Sequence, residues 1–103
     1  MSELLTEKTE SIVILDTPVQ RGATSIREVV LRKPQSGALR GLRLQAVMEM
    51  DVASMMTIIP RISSPELTPQ EMAELDPADL TALSVEVVTF LLKKSVLAGL
   101  PTA

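Results

Sequence analysis

Two short apolar stretches near the N-terminus, both rich in β-branched residues, predict β-strands. The first covers residues 11–15 and ends at the polar residues 16–18, and the second covers residues 26–32 and is stopped by Pro34. Residues 19–25, which include an Arg-Gly pair, have the composition of a turn. The pattern therefore predicts a β-hairpin over residues 11–34, which needs another element to cover one of its faces.

Beyond Pro34 the apolar residues recur every three to four positions, which is the spacing of amphipathic helices. A first helix is expected to begin near Ser36, with an apolar stripe made of Leu39, Leu42, Ala46 and Met50. A second helix is expected to begin after Asp51 as its N-cap. It should end or kink at Pro60, because an interior proline removes a backbone hydrogen bond. Its apolar residues are Val52, Met55, Met56 and Ile59.

Two further helix starts carry strong local signals. Residues 68–71, Thr-Pro-Gln-Glu, have the capping-box arrangement and predict a short helix that ends at about Leu75. Residues 76–77, Asp-Pro, repeat the signal and open the longest helix. That helix is expected to run from Pro77 to about Ala98, with Gly99 as its stop.

Together these elements predict the α+β class, with a small N-terminal β-hairpin followed by a mainly α-helical half of three to four helices. With 103 residues the chain is too short for two separate cores. Residues 1–10 are expected to form a flexible N-terminal tail and residues 11–103 a single domain. Within it, residues 11–34 form the hairpin and residues 35–100 the helical part.

Composition excludes much of the usual chemistry. The chain has no Cys, no His and a single Phe, so disulfides, zinc sites built on thiolates or imidazoles, and nucleophiles that depend on histidine are ruled out. The acids Glu71, Glu74, Asp76 and Asp79 cluster in sequence, but each lies at a helix start where an acid has a structural role. We therefore expect no enzyme activity, no cofactor and no metal.

The net charge is −3 and is unevenly distributed. Residues 20–43 hold six basic residues against one acid, and residues 44–86 hold eight acids against one arginine. We expect these blocks to neutralise each other or to face water, so nucleic acid is not an expected partner. The longest apolar stretch, residues 80–92, is interrupted by Glu86 and is too short to span a membrane.

Aliphatic contact with a partner is the remaining kind of function. The apolar arc of the last helix is wider than one stripe, so part of it could face a partner rather than the core. Methionines in the middle third could either fill the core or adapt to a partner. The candidate partner-binding residues are Leu83, Val87, Phe90, Leu91, Met55 and Met56.

The order of these motifs resembles the small tail assembly chaperones of long-tailed bacteriophages, the E-type and Mu-like group. The resemblance covers about residues 12–92. It is carried by residues 14–18 and 26–34 in the strands, 37–42 after them, 67–71 and 75–80 at the two capped helix starts, and 90–91.

The resemblance implies a role in virion assembly in the host bacterial cytoplasm. Proteins of this group bind the tape measure protein, keep it soluble until the tail tube assembles around it, and are absent from the mature virion. The tail tube protein and a second copy of the chain are further partners to consider. A longer form made by ribosomal frameshifting is also implied, and residues 89–91 or 92–94 could be encoded by slippery codons.

Two other functions fit the same residues. One is a small dimeric interaction or regulatory module, in which the arginine-rich hairpin touches nucleic acid. The other is a structural subunit of the tail or baseplate, which would be found in purified virions.

Overall fold

The computed structural model describes residues 9–92, and it confirms the α+β class. In chain order the elements are β1 (Glu10–Arg21), β2 (Thr24–Arg32), a short 3-10 helix (Ser36–Leu39), α1 (Leu44–Met48), α2 (Val52–Ile62), β3 (Ser63–Ser64), α3 (Pro69–Glu74) and α4 (Pro77–Leu91). Residues 1–8 of the predicted tail lie outside the described part, whereas Glu10 already pairs with Arg32 in the sheet.

The three strands form an antiparallel sheet in the order β1-β2-β3. The predicted hairpin is present, and its turn places Gly22 at a φ of +60°, a conformation that glycine adopts without steric strain. β1 is longer than predicted. Its pairing with β2 is interrupted between Ile14 and Val19 and then resumes up to Arg21. β3 was not predicted, because two serines without an apolar pattern give no strand signal.

The helices cover one face of this sheet. Alternate residues of β1 and β2, among them Val13, Leu15, Val29 and Leu31, are buried on this inner face. They join the buried side chains of α2, α3 and α4 in one cluster, which includes Met55, Ile58, Ile59, Met72, Leu83 and Val87. Because the helices lie on one side, the opposite face of β1 and β2 is left outward.

The prediction of one continuous helix from Ser36 to Met50 is wrong. The chain forms a 3-10 turn and then α1, and Gly41 lies between them at a φ of +82°. A left-handed residue cannot continue a right-handed helix, so the apolar spacing that spans this glycine does not correspond to one helical stripe. Arg61 holds the 3-10 turn against α2 by donating to the carbonyl oxygens of Ala38 and Arg40 at 2.7 and 2.8 Å.

The other two long helices also end differently from prediction. α2 passes through Pro60 and continues to Ile62. A proline this close to the C-terminal end removes only one hydrogen bond of the helix. α4 ends at Leu91, seven residues before the predicted end, because Leu92 adopts an extended conformation with a ψ of 137°. The predicted helical residues 93–98 and the predicted stop Gly99 lie outside the described residues.

Both predicted proline-containing helix starts are confirmed. At α3 the Thr68 hydroxyl accepts from the Glu71 N–H at 3.1 Å, and the Glu71 carboxylate accepts from the Thr68 N–H at 2.9 Å. At α4 the Asp76 carboxylate accepts from the Ala78 N–H at 2.8 Å. Each cap satisfies N–H groups that a helix start otherwise leaves without partners.

Glu71 also connects α3 to the hairpin. The guanidinium of Arg21, next to the hairpin turn, donates to both carboxylate oxygens of Glu71 at 2.6 and 2.9 Å and to the Glu66 carbonyl oxygen at 2.8 Å. The hydrogen bonds from Arg21 and from the Thr68 N–H lower the pKa of Glu71 from 4.5 to about 2. The acid that holds the hairpin tip therefore stays charged at pH values well below the ordinary pKa of a glutamate.

Asp79 makes the second connection, between α4 and β1. Its side chain is buried, and its two oxygens accept from the backbone N–H groups of Asp16 and Thr17 at 2.8 and 3.0 Å. These two residues lie where β1 and β2 lose their register, so neither is paired with β2. One carboxylate thus replaces the missing strand partner of two successive N–H groups.

We predict that Asp79→Asn lowers the free energy of unfolding by about 1–3 kcal/mol, because an amide offers one acceptor oxygen to two backbone donors. Urea unfolding followed by circular dichroism measures the loss. Asp16→Asn is the matched control, since Asp16 enters this contact through its backbone N–H alone, and it should cost less than about 0.5 kcal/mol. Equal losses in the two variants would contradict the role of the Asp79 carboxylate.

The lowered pKa of Glu71 predicts a pH dependence of stability. A depressed folded-state pKa stabilises the fold above the unfolded value near 4.5, and this contribution is lost as the pH falls towards about 2. The unfolding free energies of the wild type and Glu71→Gln should therefore differ most at neutral pH and converge between pH 4.5 and about 2. Glu74→Gln is the control, because Glu74 bonds only Gln70 on its own helix, and a constant gap for Glu71→Gln would refute the linkage.

Candidate partner-binding surface

Three of the four acids that cluster in sequence hold the fold together. Glu71 and Asp76 cap α3 and α4, and Asp79 binds the β1 backbone. Residues 9–92 contain no group of three or more Asp, Glu, His or Cys side chains placed to hold a metal ion. Every buried side-chain nitrogen and oxygen in that range has a hydrogen-bond partner.

The sequence-predicted partner-binding residues divide into two groups. Met55, Leu83, Val87 and Phe90 are buried in the core cluster, where they contact the domain's own side chains. Met56 and Leu91 are half-buried at the edge of that cluster. Contact of these six residues with a partner stays a prediction, and only Met56 and Leu91 present part of their side chains on the surface of this fold.

Large apolar side chains that are exposed lie elsewhere, mainly in two places. On the outward face of β1, Ile12 and Ile14 are 61% and 66% exposed. Around the connection from α1 to α2, Leu44, Met50 and Val52 are 58%, 40% and 57% exposed. We call the first set, together with half-buried Val30, the outer sheet face. The second set, together with half-buried Met56, is the α1–α2 surface.

Met50 has an unusual backbone conformation within the α1–α2 surface. Its φ is +58°, in the left-handed region that side chains with a Cβ rarely adopt. The Met50 N–H donates to the Val47 carbonyl oxygen and the Asp51 N–H to that of Ala46, both at 3.0 Å. This is the Schellman arrangement at a helix C-terminus, and its left-handed position is usually glycine. An exposed methionine is therefore kept where glycine would relieve strain.

The next helix continues this surface. Asp51 caps α2 by accepting from the Ser54 N–H at 3.0 Å, so Val52 is the first helical residue. Val52 and Met56 lie one turn apart and therefore on the same side of α2. Sequence reasoning included Met56 but assigned Met50 and Val52 to predicted helix stripes. The left-handed turn that exposes Met50 has no glycine to reveal it in the sequence.

The outer sheet face is smaller and flanked by charge. In the β1–β2 ladder Ile12 lies opposite Val30, Ile14 opposite Glu28, and Glu10 opposite Arg32. The apolar patch is therefore bordered by charged residues at both ends. Sequence reasoning missed Ile12 and Ile14, because an unbroken apolar run does not indicate which of its residues face outward.

Two basic side chains of the hairpin bind other parts of the fold. Arg21 binds Glu71, and Arg32 donates to the Arg61 carbonyl oxygen at 3.2 Å. An open groove, lined at one side by Thr9 and Glu10 and at the other by residues 32–36, crosses the end of the hairpin. It does not enclose a small molecule as a ligand pocket does. Of the helices within residues 9–92, none has the length and apolar character needed to cross a membrane.

Comparison with known proteins gives one matching family model and two similar proteins. A family model described as "Phage tail assembly chaperone proteins, E, or 41 or 14" matches residues 13–92. Tail assembly protein E of Escherichia phage P2 is 45% identical over 87 residues, which cover 84% of this chain and 96% of that protein.

Tail assembly protein E′ of the same phage is 45% identical over 82 residues, which cover 80% of this chain and 58% of E′. No solved structure matches the chain significantly. The matched range runs from Val13, the first buried apolar residue of β1, to the C-cap of α4, so it contains the contact of Arg21 with Glu71 and that of Asp79 with the β1 backbone. The chain therefore belongs to the family of phage tail assembly chaperones.

Proposed function

We propose that this chaperone binds the tape measure protein of its phage and keeps it soluble, in the host cytoplasm, until the tail tube assembles around it. The role requires no catalysis, and Glu71, Asp76 and Asp79 are used in caps and in contacts between elements. The chaperone leaves before the virion is complete. Family membership supports the assembly role, and the exposed apolar side chains support binding through aliphatic contact.

The observation that carries the proposal is the strained, exposed Met50. A left-handed conformation costs a residue with a Cβ about 1–2 kcal/mol, and Met50 adopts it while 40% exposed. Strain of this kind persists where the side chain has a use that offsets it. A flexible thioether side chain suits contact with apolar helices of varied sequence, and Leu44 and Val52, at the starts of α1 and α2, are exposed as well.

The proposed contact surface is therefore the α1–α2 surface, extended through Met56. Leu91 contributes in this proposal from the end of α4, where it is half-buried. Leu83, Val87, Phe90 and Met55 support it from beneath, because they form the core on which these elements rest. Direct contact by those four residues would require the core to open.

Met50 offers a substitution that separates binding from folding. Met50→Gly removes the apolar side chain and relieves the left-handed strain, so it should raise the unfolding free energy by about 1 kcal/mol. The same variant should reduce the amount of tape measure protein recovered in the soluble fraction after co-expression. Met50→Leu is the matched control, because it keeps both an apolar side chain and the strain, and it should rescue solubility as the wild type does.

The outcomes of this experiment test the proposed function and the proposed binding surface separately. If the wild type leaves the solubility of the tape measure protein unchanged, the proposed function is wrong. If the wild type rescues and Met50→Gly rescues equally, the function stands and the α1–α2 surface is wrong. Steeply salt-dependent DNA binding would instead favour a regulatory module. Recovery of the protein in purified virions would favour a structural tail or baseplate subunit.

A longer form of the chain is a further part of the proposal. The P2 phage has both an E and an E′ protein, and this chain spans 58% of E′. A change of reading frame within residues 89–91 or 92–94 would alter the chain only from the end of α4 onward. Phe90 is the last side chain of the core cluster. The longer product would therefore keep the sheet and α1–α3, together with nearly all of α4.

We predict that the gene carries a run of identical nucleotides at one of these two places, followed by an open alternative frame. Mass spectrometry of infected cells should then detect a product that shares residues 1–88 and continues into new sequence. Silent codon changes that break the run are the control and should abolish the longer product alone. Mixed codons at both places would remove this part of the proposal without affecting tape measure binding.

A further inference from the structure

β1 has an edge that no described strand covers. Within residues 9–92, β1 pairs with β2 along one side and lies at the margin of the sheet on the other. In an antiparallel ladder, alternate residues direct their N–H and C=O groups away from the partner strand. At residues 16 and 17 this edge is interrupted, because Asp79 accepts the N–H groups of Asp16 and Thr17. The continuous uncovered edge before that interruption consists of residues 10–15.

The side chains of this edge do not protect it from pairing. Monomeric proteins commonly blunt such edges with lysine, proline or an inward-facing charge. Residues 11–15 contain none of these, and their outward side chains are Ile12 and Ile14, both more than 60% exposed. Backbone groups and apolar side chains are thus both available along the same five residues.

We propose that this edge pairs with the same edge of a second copy of the chain. The two β1 strands run antiparallel about a two-fold axis at Val13, so that two three-stranded sheets become one six-stranded sheet. This inference is independent of tape measure binding, because it uses residues 10–15 of β1 and none of the residues proposed to contact the tape measure protein.

A second copy fits because the pattern of β1 is self-complementary about Val13. The axis at Val13 places Ile12 opposite Ile14 of the partner subunit, and Ile14 opposite Ile12 of the partner subunit. The four isoleucines then form one cluster on the outer face, beside Val30 of each copy. On the inner face Ser11 lies opposite Leu15 of the partner subunit, and both of these residues are already buried. Cross-strand pairs between β-branched side chains are the stabilising unit of a sheet.

Charge sets the strength of the pairing. The same register brings Glu10 opposite Asp16 of the partner subunit, which is a like-charge pair at each end. Arg32, opposite Glu10 in its own ladder, lies in the same row and offsets part of that repulsion. A ladder of five residues buries less surface than a permanent dimer requires. The dimer is therefore weak and reversible.

Sedimentation equilibrium of the full chain tests the pairing. The wild type should show a monomer–dimer equilibrium that shifts with concentration. Ile14→Lys should raise the dissociation constant about tenfold or more, because it places a charge in the isoleucine cluster. The substitution should leave the monomer folded, since the new lysine lies opposite Glu28. Leu44→Lys is the matched control, because Leu44 is similarly exposed on α1, and it should dimerise as the wild type does.

The register has its own test, which uses the absence of cysteine from the chain. A mixture of Ile12→Cys and Ile14→Cys should form a disulfide faster on mild oxidation than either variant alone, because these positions face each other across the axis. Asp16→Asn should tighten the dimer by removing the like-charge pairs. Circular dichroism confirms that each variant is folded.

Three results would overturn the proposal. They are a wild type that stays monomeric at every concentration, an Ile14→Lys variant that dimerises as well as the wild type, and cysteine variants that cross-link no faster mixed than alone. The first result would leave the edge to another occupant, such as residues 1–8 or a different protein. None of these results affects the co-expression test of tape measure binding.

Discussion

The fold depends on one carboxylate between two elements that are distant in sequence. Asp79, in the first turn of α4, receives two successive N–H groups of β1 at the place where β1 leaves its register with β2. Asp79 itself is buried, and these two N–H groups are the donors that compensate the cost of burying its carboxylate. The contact joins the last helix to the first strand.

Much of the local structure could be predicted because it arises from neighbouring residues. The strands over residues 11–15 and 26–32, the Thr68 capping box and the Asp76 cap each depend on side chains only a few positions apart. The elements that escaped prediction depend on distant partners. β3 consists of two serines that become a strand only because Val30 and Leu31 lie beside them. Asp79 had the sequence context of a helix start, but its partners are more than 60 residues away.

The candidate surfaces were harder to predict than the fold. An apolar residue gives the same sequence signal in a core and at an interface, so Leu83 and Leu91 could not be separated before their burial was known. Met50 shows the same difficulty at the level of the backbone. Its spacing matches a helical stripe, but Gly41 divides that stripe and the chain turns left-handed at Met50 itself. Met50 is exposed because the backbone turns left-handed at Gly41 and again at Met50, and the spacing of apolar residues indicates neither turn.

The contact between β1 and α4 also has a consequence for how the chain acquires its structure during synthesis. The hairpin is complete once Arg32 has emerged from the ribosome, yet the inner face of β1 is covered by a helix that begins 45 residues later, at Pro77. Contacts between such distant segments close slowly, because a long loop must be ordered first. The nascent hairpin therefore lacks the helix that covers the inner face of β1 until α4 has been translated, and the apolar residues of that face stay exposed to solvent for that interval.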